Sequence, residues 1–315
     1  MPDIVTLTMN PSLDLSSRVE RLLSDVKLRC DEPLEDAGGG GVNVAKAASA
    51  LGSEVTAVLP LGGDTGERVR EQLDLAAVAS TAIQLDIPTR QSLAITETST
   101  GRQFRFGFPG RAMAEDRWQR CLEVFVRAAR PAAVAVLSGS LPPGVPEDFY
   151  GMVATELGGG GPAVIVDTHG PPLPKAVAAG VTLVKPNVRE LSEAIGRELN
   201  SEIDYVKAAR DLLSGTPTRT VVVSMGPAGA LVVPAEGPVV RVWAPGVRPV
   251  SAVGAGDSMV AGMAVALARG DSVSEAVRLG TATGAAAVMV PESGLSEAGQ
   301  VSELHDLVRM SEVDL

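Results

Sequence analysis

The chain has 315 residues, of which 45% are hydrophobic and only 3% aromatic, and its formal net charge is −11. This acidity argues against a general nucleic-acid binder, because no overall positive field would gather phosphates. Cys30 and Cys121 lack metal-site spacing, and no uninterrupted apolar run reaches the length of about 18 residues that a membrane span needs. We therefore expect a cytoplasmic protein that binds neither nucleic acid nor membrane.

The first part of the chain predicts short strands followed by a glycine-rich helix start. Residues 3–8 predict an opening strand, and the more polar residues 13–19 and 28–35 predict strands of a small separate sheet. The run Gly38-Gly39-Gly40-Gly41 then enters an Ala-rich helix. Such a run is either a flexible loop or a close approach of the backbone to a ligand, and Asn43 one turn inside the helix favours the ligand.

From residue 54 onward strands and helices alternate, with one polar interruption. The alternation begins with a predicted strand at 55–59, a helix from residue 64 and a strand near 81–86. Residues 91–98 and 102–107 then predict a hairpin. Together with the earlier polar strands it would form a lid of about four strands, from about 13–35 and 88–108. A sheet of this size needs a packing partner, either the main domain or a second subunit.

The second half of the chain continues the alternation. Its predicted elements are a helix at 115–129, a strand at 133–137, a helix from about 146, strands at 163–167 and 181–184, two helical patterns after residue 190, a strand, turn and strand over 220–230, and helices at 256–269, 272–289 and near 300–310. Repeated units with fully apolar strands indicate a parallel sheet covered on both faces. We therefore predict an α/β fold, a three-layer α/β/α sandwich with a mostly parallel central sheet and a small β-sheet lid, as a single domain over residues 1–315.

The segment Val253-Gly254-Ala255-Gly256-Asp257 is a glycine turn that runs into a helix. Unpaired N–H groups at a helix start carry partial positive charge and form a seat for a phosphoryl group. Asp257 is then either a carboxylate stabilised by the helix dipole or a base beside that seat. The sequence has neither a P-loop nor a nucleophile elbow. Its glycines, acids and scattered cations suit phosphoryl transfer, which depends on positioning and charge neutralisation.

Four motifs occur along the chain, namely Gly38–Asn43, Asn187-x-x-Glu190, Ser224-x-Gly226-x-x-Gly229 and Val253–Asp257. In this order they resemble the ribokinase-like, or PfkB, carbohydrate kinases, and the resemblance covers nearly the whole chain. Further segments resemble the branch of minor bacterial 6-phosphofructokinases, namely Pro11–Asp14, Lys27–Cys30, Thr89–Gln91, Arg105-Phe106 and Ser138–Val145.

The resemblance implies ATP-dependent phosphorylation of fructose 6-phosphate at C1. A tagatose-6-phosphate kinase and a 1-phosphofructokinase would use almost the same residues and stay open as alternatives. A non-catalytic sensor of sugar phosphates or nucleotides is the alternative from another class. The presence of Asp257 with both of its neighbouring glycines argues against the sensor, because a binding protein has no use for a base.

The resemblance also implies a role for each matching residue. Asp257 would take the proton from the sugar hydroxyl, although its helix start would weaken it as a base. The N–H groups of Gly254, Ala255 and Gly256 would hold the transferring phosphoryl. The expected sugar and sugar-phosphate set is Asp14, Lys27, Arg29, Gly39, Gly40, Asn43, Arg90, Arg105 and Ser138. The expected nucleotide set is Lys185, Asn187, Ser224, Gly226 and Gly229.

Several of these positions also have plainer interpretations. Glu190, with Asn187, would organise the Mg²⁺ that accompanies ATP, but it could equally be an ordinary carboxylate at a helix start. Gly226-Pro227 could be a bare hairpin turn, and arginines on exposed strands are commonly solvated edge residues. The family also suggests K⁺ as a second cation. Ala252 stands where many members have a hydroxyl residue, which puts that site in doubt.

The predicted lid also bears on assembly. Two short β excursions on one side of a domain leave unpaired edges and a bare apolar face, which a two-fold partner could cover. The resemblance points the same way. We therefore expect a homodimer through the lid, in which Lys27 and Arg29 reach the sugar phosphate of the neighbouring subunit.

Overall fold

The computed structural model describes residues 2–251, 253–290 and 298–313. The strands are β1 (Ile4–Leu7), β2 (Ser12–Val19), β3 (Leu34–Gly38), β4 (Val55–Gly62), β5 (Ala79–Leu85), β6 (Arg90–Glu97), β7 (Gln103–Gly107), β8 (Val134–Ser138), β9 (Ala163–Asp167), β10 (Leu183–Val184), β11 (Thr220–Ser224), β12 (Ala230–Pro234), β13 (Val239–Trp243) and β14 (Arg309–Val313). The helices are α1 (Gly40–Ala50), α2 (Gly63–Leu75), α3 (Glu115–Ala129), α4 (Phe149–Leu157), α5 (Pro172–Ala179), α6 (Val188–Ile195), α7 (Glu202–Leu213), α8 (Ala255–Ala268), α9 (Val273–Ala287) and α10 (Ala298–Leu307).

The described residues form one large sheet with the strand order β14-β13-β12-β11-β10-β9-β8-β1-β4-β5. From β11 to β5 neighbouring strands pair in parallel, whereas β12, β13 and β14 pair antiparallel at one side. The predicted mostly parallel sheet is confirmed. In a parallel sheet the carboxyl ends of the strands share one edge, and ligands bind there.

The sheet is covered by helices on both faces, as predicted. Strand β1 shows why, because all four of its residues are buried. Val5 and Leu7 belong to a core shared with α3, α4, α5 and α7, whereas Ile4 belongs to a second core shared with α1, α8 and α9. Each such side chain contributes about 1.5–3 kcal/mol when it is fully buried. This two-sided burial gives the three layers and fixes the starts of α1 and α8 on one face.

A separate four-stranded sheet has the order β3-β2-β6-β7, and we call it the small sheet. Strands β2 and β6 pair in parallel, with an antiparallel strand outside each. The prediction of a second sheet of about four strands is confirmed, but the predicted strand at 28–35 is wrong. Residues 20–33 form a loop before β3, because Pro33 and the charged residues preceding it offer neither a regular ladder nor an apolar face.

Strand β3 is instead held by two ion pairs to the helices beneath it. Lys46 of α1 contacts both carboxylate oxygens of Asp36, at 2.8 and 2.7 Å, and donates to the carbonyl of Ala37. Arg68 of α2 pairs with Glu35. These contacts attach the small sheet to the glycine-rich start of α1.

The pattern did not predict α5, β13 or β14. Helix α5 begins at a pair of prolines, which suit a helix start but look like loop residues in sequence. Strand β14 is mostly exposed and joins the sheet through backbone pairing with β13, so it lacks an apolar alternation. Within the described ranges, no helix is both long enough and apolar enough to cross a membrane.

Candidate active site

A cavity of about 670 Å³ lies between the small sheet and the starts of α1 and α8. Strand β2 and the β6–β7 hairpin form one wall, and the glycine-rich helix starts form the other. The predicted site residues that line it are Asp14, Gly39, Asn43, Arg90, Arg105 and Gly254. Residues far apart in sequence thus meet where the resemblance implied a sugar site.

Asp257 stands in the first turn of α8, beside this cavity. Its Oδ2 accepts a hydrogen bond of 2.8 Å from Asn43 Nδ2. Gly254 precedes the helix with φ 75°, a left-handed conformation that turns the chain into α8. The backbone N–H groups of Ala255 and Gly256 therefore belong to the helix start, where no intrahelical acceptor exists for them.

The carboxyl of Asp257 is enclosed by protein atoms, and Asp257 itself is not among the residues that line the cavity. This removal from bulk water raises the pKa of Asp257 to about 6, and the charge of Asp167 adds to the effect. The hydrogen bond from Asn43 and the charges of Lys185 and Lys46 act in the opposite direction. The weakening expected from the helix start is therefore outweighed, and Asp257 is a stronger base than an exposed aspartate.

Asp14 lies on β2, one of the two inner strands of the small sheet. Its Oδ1 accepts a hydrogen bond of 2.6 Å from Ser12 Oγ and a further one from Ser92 Oγ of β6. Gly38 leaves the room for this carboxylate, because a Cβ there would come within 2.1 Å of Asp14 Oδ2. The carboxylate is thus fixed in place by two hydroxyl groups at the cavity wall.

Two arginines bring positive charge to the same cavity. Arg90 is half-buried, and it donates to the carbonyls of Asn10 at 3.1 Å and Phe108 at 3.4 Å. Arg105 projects from the exposed strand β7. Because guanidinium groups match the geometry of phosphate oxygens, these two residues can hold an anionic substituent of a ligand.

The glycine-rich start of α1 packs against the end of β8. Gly39 has φ 113°, which favours glycine, and a Cβ at Gly40 would lie 2.3 Å from Ser138 Oγ. Ser138 is buried, and its hydroxyl makes no hydrogen bond within the described part of the chain. Gly40 and Ser138 were expected in the sugar set, but they are not among the residues that line the cavity.

A second cavity, of about 580 Å³, includes the predicted nucleotide residues Asn187, Ser224 and Gly226 in its lining. Residues 226–228 form a short 3₁₀ turn between β11 and β12. Gly229 ends the turn with φ 98°, and a Cβ there would lie 2.1 Å from the Val242 carbonyl. A side chain at position 229 would therefore clash with the backbone of β13, whereas a Cβ at Gly226 would meet no atom within 4 Å.

Lys185 lies near the start of α8 and lines neither of the two cavities. Its buried Nζ lies 3.1 Å from Asp167 Oδ1, and it lies 3.7 Å from the position that a Cβ at Gly256 would take. Burial alone would lower the pKa of Lys185, but Asp167, Glu190 and Asp257 raise it above its usual value. The ammonium thus stays charged at the start of α8, where it can neutralise phosphate oxygens.

Asp167 is a site residue that the sequence analysis missed. It ends strand β9, and burial raises its pKa while the nearby Lys185 lowers it. A usable signal was available, because a carboxylate directly after an apolar strand of a parallel sheet lies at the ligand-binding edge.

Asn187 and Glu190 also cap the start of a helix, which was the ordinary structural role that the sequence left open for Glu190. Asn187 Oδ1 accepts from the Glu190 N–H and Glu190 Oε2 accepts from the Asn187 N–H, both at 2.9 Å, which makes a capping box at the start of α6. The negative charges of Glu190 and Asp167 nevertheless both raise the pKa of Lys185. Among the described residues no cluster of three or more acidic, histidine or cysteine ligands occurs. Mg²⁺ bound to a nucleotide needs only one or two carboxylates and keeps waters, so this donor set fits it.

Lys27 and Arg29 are not brought to the cavity of their own chain. Both are exposed in the loop 20–33, and neither is among the lining residues. Their predicted contribution to the site would therefore come through a second subunit.

Comparison with known proteins agrees with this geometry. Residues 5–298 match the family described as pfkB family carbohydrate kinase. The chain belongs to the pfkB family. It is 40% identical over 97% of its length to the "ATP-dependent 6-phosphofructokinase isozyme 2" of Mycobacterium tuberculosis (strain CDC 1551 / Oshkosh), of which it covers 90%. It is 41% identical over 92% of its length to the protein of the same name from Escherichia coli (strain K12), of which it covers 93%.

A solved pfkB-family structure shares the fold. The crystal structure of phosphofructokinase-2 from Escherichia coli in complex with potassium superposes with a TM-score of 0.92 at 38% identity, covering 98% of this chain and 99% of that one. The predictions of a ribokinase-like fold and of a carbohydrate kinase are confirmed. Ala252, on which the K⁺ expectation depends, lies outside the described residues, so that expectation stays a prediction.

Proposed function

We propose that this chain is an ATP-dependent 6-phosphofructokinase, which transfers the γ-phosphoryl group of ATP to the C1 hydroxyl of fructose 6-phosphate. The observation that carries the proposal is that Asn43, which lines one cavity together with Arg90 and Arg105, donates a hydrogen bond to Asp257, a carboxylate with a raised pKa. A kinase for a phosphorylated sugar needs a base for the hydroxyl and a separate site for the phosphate already present.

In the transfer step the C1 hydroxyl oxygen forms a bond to the γ-phosphorus while the bond to the ADP oxygen breaks. Asp257 takes the hydroxyl proton, which becomes acidic only as the new bond forms. The N–H groups of Gly254, Ala255 and Gly256 stabilise the charge on the transferring group. Removal of such preorganised donors typically raises a barrier by about 3 kcal/mol.

The sugar is held by groups already fixed before it binds. Asp14, anchored by two serine hydroxyls, and Asn43 accept from and donate to the sugar hydroxyls, and Gly39 lets the backbone approach. Arg90 and Arg105 bind the 6-phosphate. Ser138 supports the glycine start of α1, because its buried hydroxyl would lie 2.3 Å from a Cβ at Gly40.

ATP reaches the start of α8 from the side of Ser224, Gly226 and Gly229. Lys185 neutralises its phosphates beside Gly256. Glu190 and Asp167 would hold the accompanying Mg²⁺ through water, with Asn187 orienting Glu190. When bound, the metal ion neutralises charge on the phosphate oxygens.

We also propose that the protein acts as a homodimer through the small sheet. Phe104, Phe106 and Phe108 of the β7 region are 38%, 46% and 54% exposed, and β3 and β7 leave unpaired edges. Exposed aromatic residues on a sheet edge are typical of a covered interface. In this dimer Lys27 and Arg29 reach the 6-phosphate in the neighbouring subunit.

ADP release with a panel of sugar phosphates tests the substrate. We expect the highest kcat/KM with fructose 6-phosphate, lower values with tagatose 6-phosphate and fructose 1-phosphate, and little turnover with unphosphorylated fructose. ³¹P NMR of the product identifies the position of the new phosphate. Highest kcat/KM with either other sugar phosphate would replace the proposed substrate, and nucleotide binding without ADP release would instead identify a sensor.

A further inference from the structure

Arg241 is an unusual residue in this acidic protein, because it lies in the middle of strand β13 and is only 5% exposed. Its Nε donates to both carboxylate oxygens of Glu202, at 3.0 and 3.1 Å. Its Nη1 donates to the carbonyls of Ala228 at 2.8 Å, Ala230 at 3.4 Å and Val242 at 2.5 Å. Its guanidinium carbon lies 5.1 Å from the ring centroid of Trp243.

These contacts converge on the turn between β11 and β12. Ala228 belongs to the 3₁₀ turn, and Ala230 is the first residue after Gly229. The Val242 carbonyl is also the atom that a Cβ at Gly229 would meet at 2.1 Å. One guanidinium therefore joins the end of the turn to β13 at the place where the two backbones are closest.

Glu202 anchors the guanidinium from the other side. It is the first residue of α7, and it lines the second cavity together with Gly226 and Ala228. Because a carboxylate accepts from Nε, the group is held in one orientation with Nη1 towards the carbonyls. A lysine has no planar fork and could not make this set of contacts.

We propose that Arg241, oriented by Glu202, is a positioning residue that fixes the Gly226–Gly229 turn for the nucleotide. The inference rests on the proposed function, which assigns this turn to ATP. Neither residue touches the reacting atoms. Without the guanidinium, the Ala228 carbonyl would lose its hydrogen-bond donor, and the turn would sample other conformations. ATP binding would then have to order the turn, which weakens the affinity for ATP.

The test combines Arg241→Lys and Glu202→Gln with a matched control, Arg197→Lys, which alters an exposed arginine paired with Asp211 at 2.9 Å. Calorimetry gives the Kd for ADP, and steady-state kinetics give KM for ATP and for the sugar phosphate. We expect Arg241→Lys to weaken ADP binding and raise KM for ATP by about five- to tenfold, with kcat and the sugar-phosphate KM within about twofold of wild type.

Glu202→Gln keeps the inference testable if Arg241→Lys does not fold. It retains the arginine and its carbonyl contacts but loses the charged anchor, so we expect a rise of about two- to threefold in KM for ATP. Arg197→Lys should match wild type. Folding is checked by thermal unfolding of each variant.

Three outcomes would overturn the inference. The first is wild-type ADP affinity in folded variants, which would make Arg241 a purely structural link between strands. The second is an equal rise of both KM values, and the third is a wild-type chain that binds no ADP. A wild-type chain that binds ADP but phosphorylates no sugar would contradict the proposed kinase, while the ADP titration would still decide the role of Arg241.

Discussion

Asn43 Nδ2 donates a hydrogen bond of 2.8 Å to Asp257 Oδ2, which joins the first turns of α1 and α8. The two residues are 214 positions apart in the chain. The bond fixes the carboxylate relative to the glycine-rich start of α1, and it also favours the ionised form of Asp257. Asn43 therefore affects both the position and the protonation of the proposed base.

The first prediction concerns Asp257→Asn. We expect kcat to fall by about 10²–10⁴-fold, because the amide cannot accept the hydroxyl proton, while substrate binding stays close to wild type. Steady-state kinetics and equilibrium binding of ADP and sugar phosphate measure the two effects. Asp271→Asn, at an exposed position beyond the end of α8, is the matched control. A change confined to KM would reassign Asp257 to helix capping.

The second prediction concerns pH. Because the pKa of Asp257 is about 6 and its ionised form is the active one, kcat/KM should rise with pH through an acid limb near pH 6. Asn43→Leu removes a hydrogen bond that lowers this pKa, so the limb should move to higher pH. The residual activity of Asp257→Asn should show no such limb. A midpoint that stays in place, or moves to lower pH, would contradict the assignment.

The third prediction concerns stability. An aspartate with a raised pKa binds its proton more tightly in the folded state, so its ionisation reduces stability as pH rises from about 4 through about 6. Asp257→Asn should therefore raise the free energy of unfolding at pH 8 and leave it nearly unchanged at pH 4. Urea unfolding at both values measures this difference, with Asp271→Asn as the control. A stabilisation of equal size at both pH values would show that the charge is not its cause.

The repeating pattern predicted the large sheet because buried parallel strands are apolar throughout, as all four residues of β1 are. Strand β3 was misplaced because ion pairs of Glu35 and Asp36 with Arg68 and Lys46 hold it, and no local pattern shows such partners. The glycine motifs located both helix starts. Arg241 was missed because its partners lie on the 3₁₀ turn and on α7, far away in sequence.

The fourth prediction concerns the arginines of the cavity. Arg105→Ala should raise KM for the sugar phosphate by about tenfold or more and leave KM for ATP within about twofold, because only the sugar carries the 6-phosphate. Arg90→Ala should do the same and lower the melting temperature as well, since Arg90 also bonds two backbone carbonyls. Arg127→Ala on the exposed face of α3 is the control. Equal effects on both substrates would remove these residues from the phosphate site.

The last prediction tests the shared site of the proposed homodimer. A chain with Asp257→Asn and a chain with Lys27→Ala should each have little activity alone, for different reasons. In a hybrid dimer one of the two sites would combine an intact Asp257 with an intact Lys27 from the partner.

With random pairing half of the dimers are hybrids, so co-refolded chains should recover up to about a quarter of wild-type activity, by two-fold symmetry. Sedimentation measures the assembly, and differently tagged chains allow the hybrids to be purified.

Mixing Asp257→Asn with Asp14→Asn is the control. Asp14 lines the cavity of its own chain, so each site of this hybrid would lack one of the two carboxylates. Since a site in that control always takes Asp14 and Asp257 from the same subunit, no activity should return. Purified hybrids of the Lys27 pair without activity would mean that Lys27 acts within its own subunit, and a monomer at assay concentration would exclude the dimer itself.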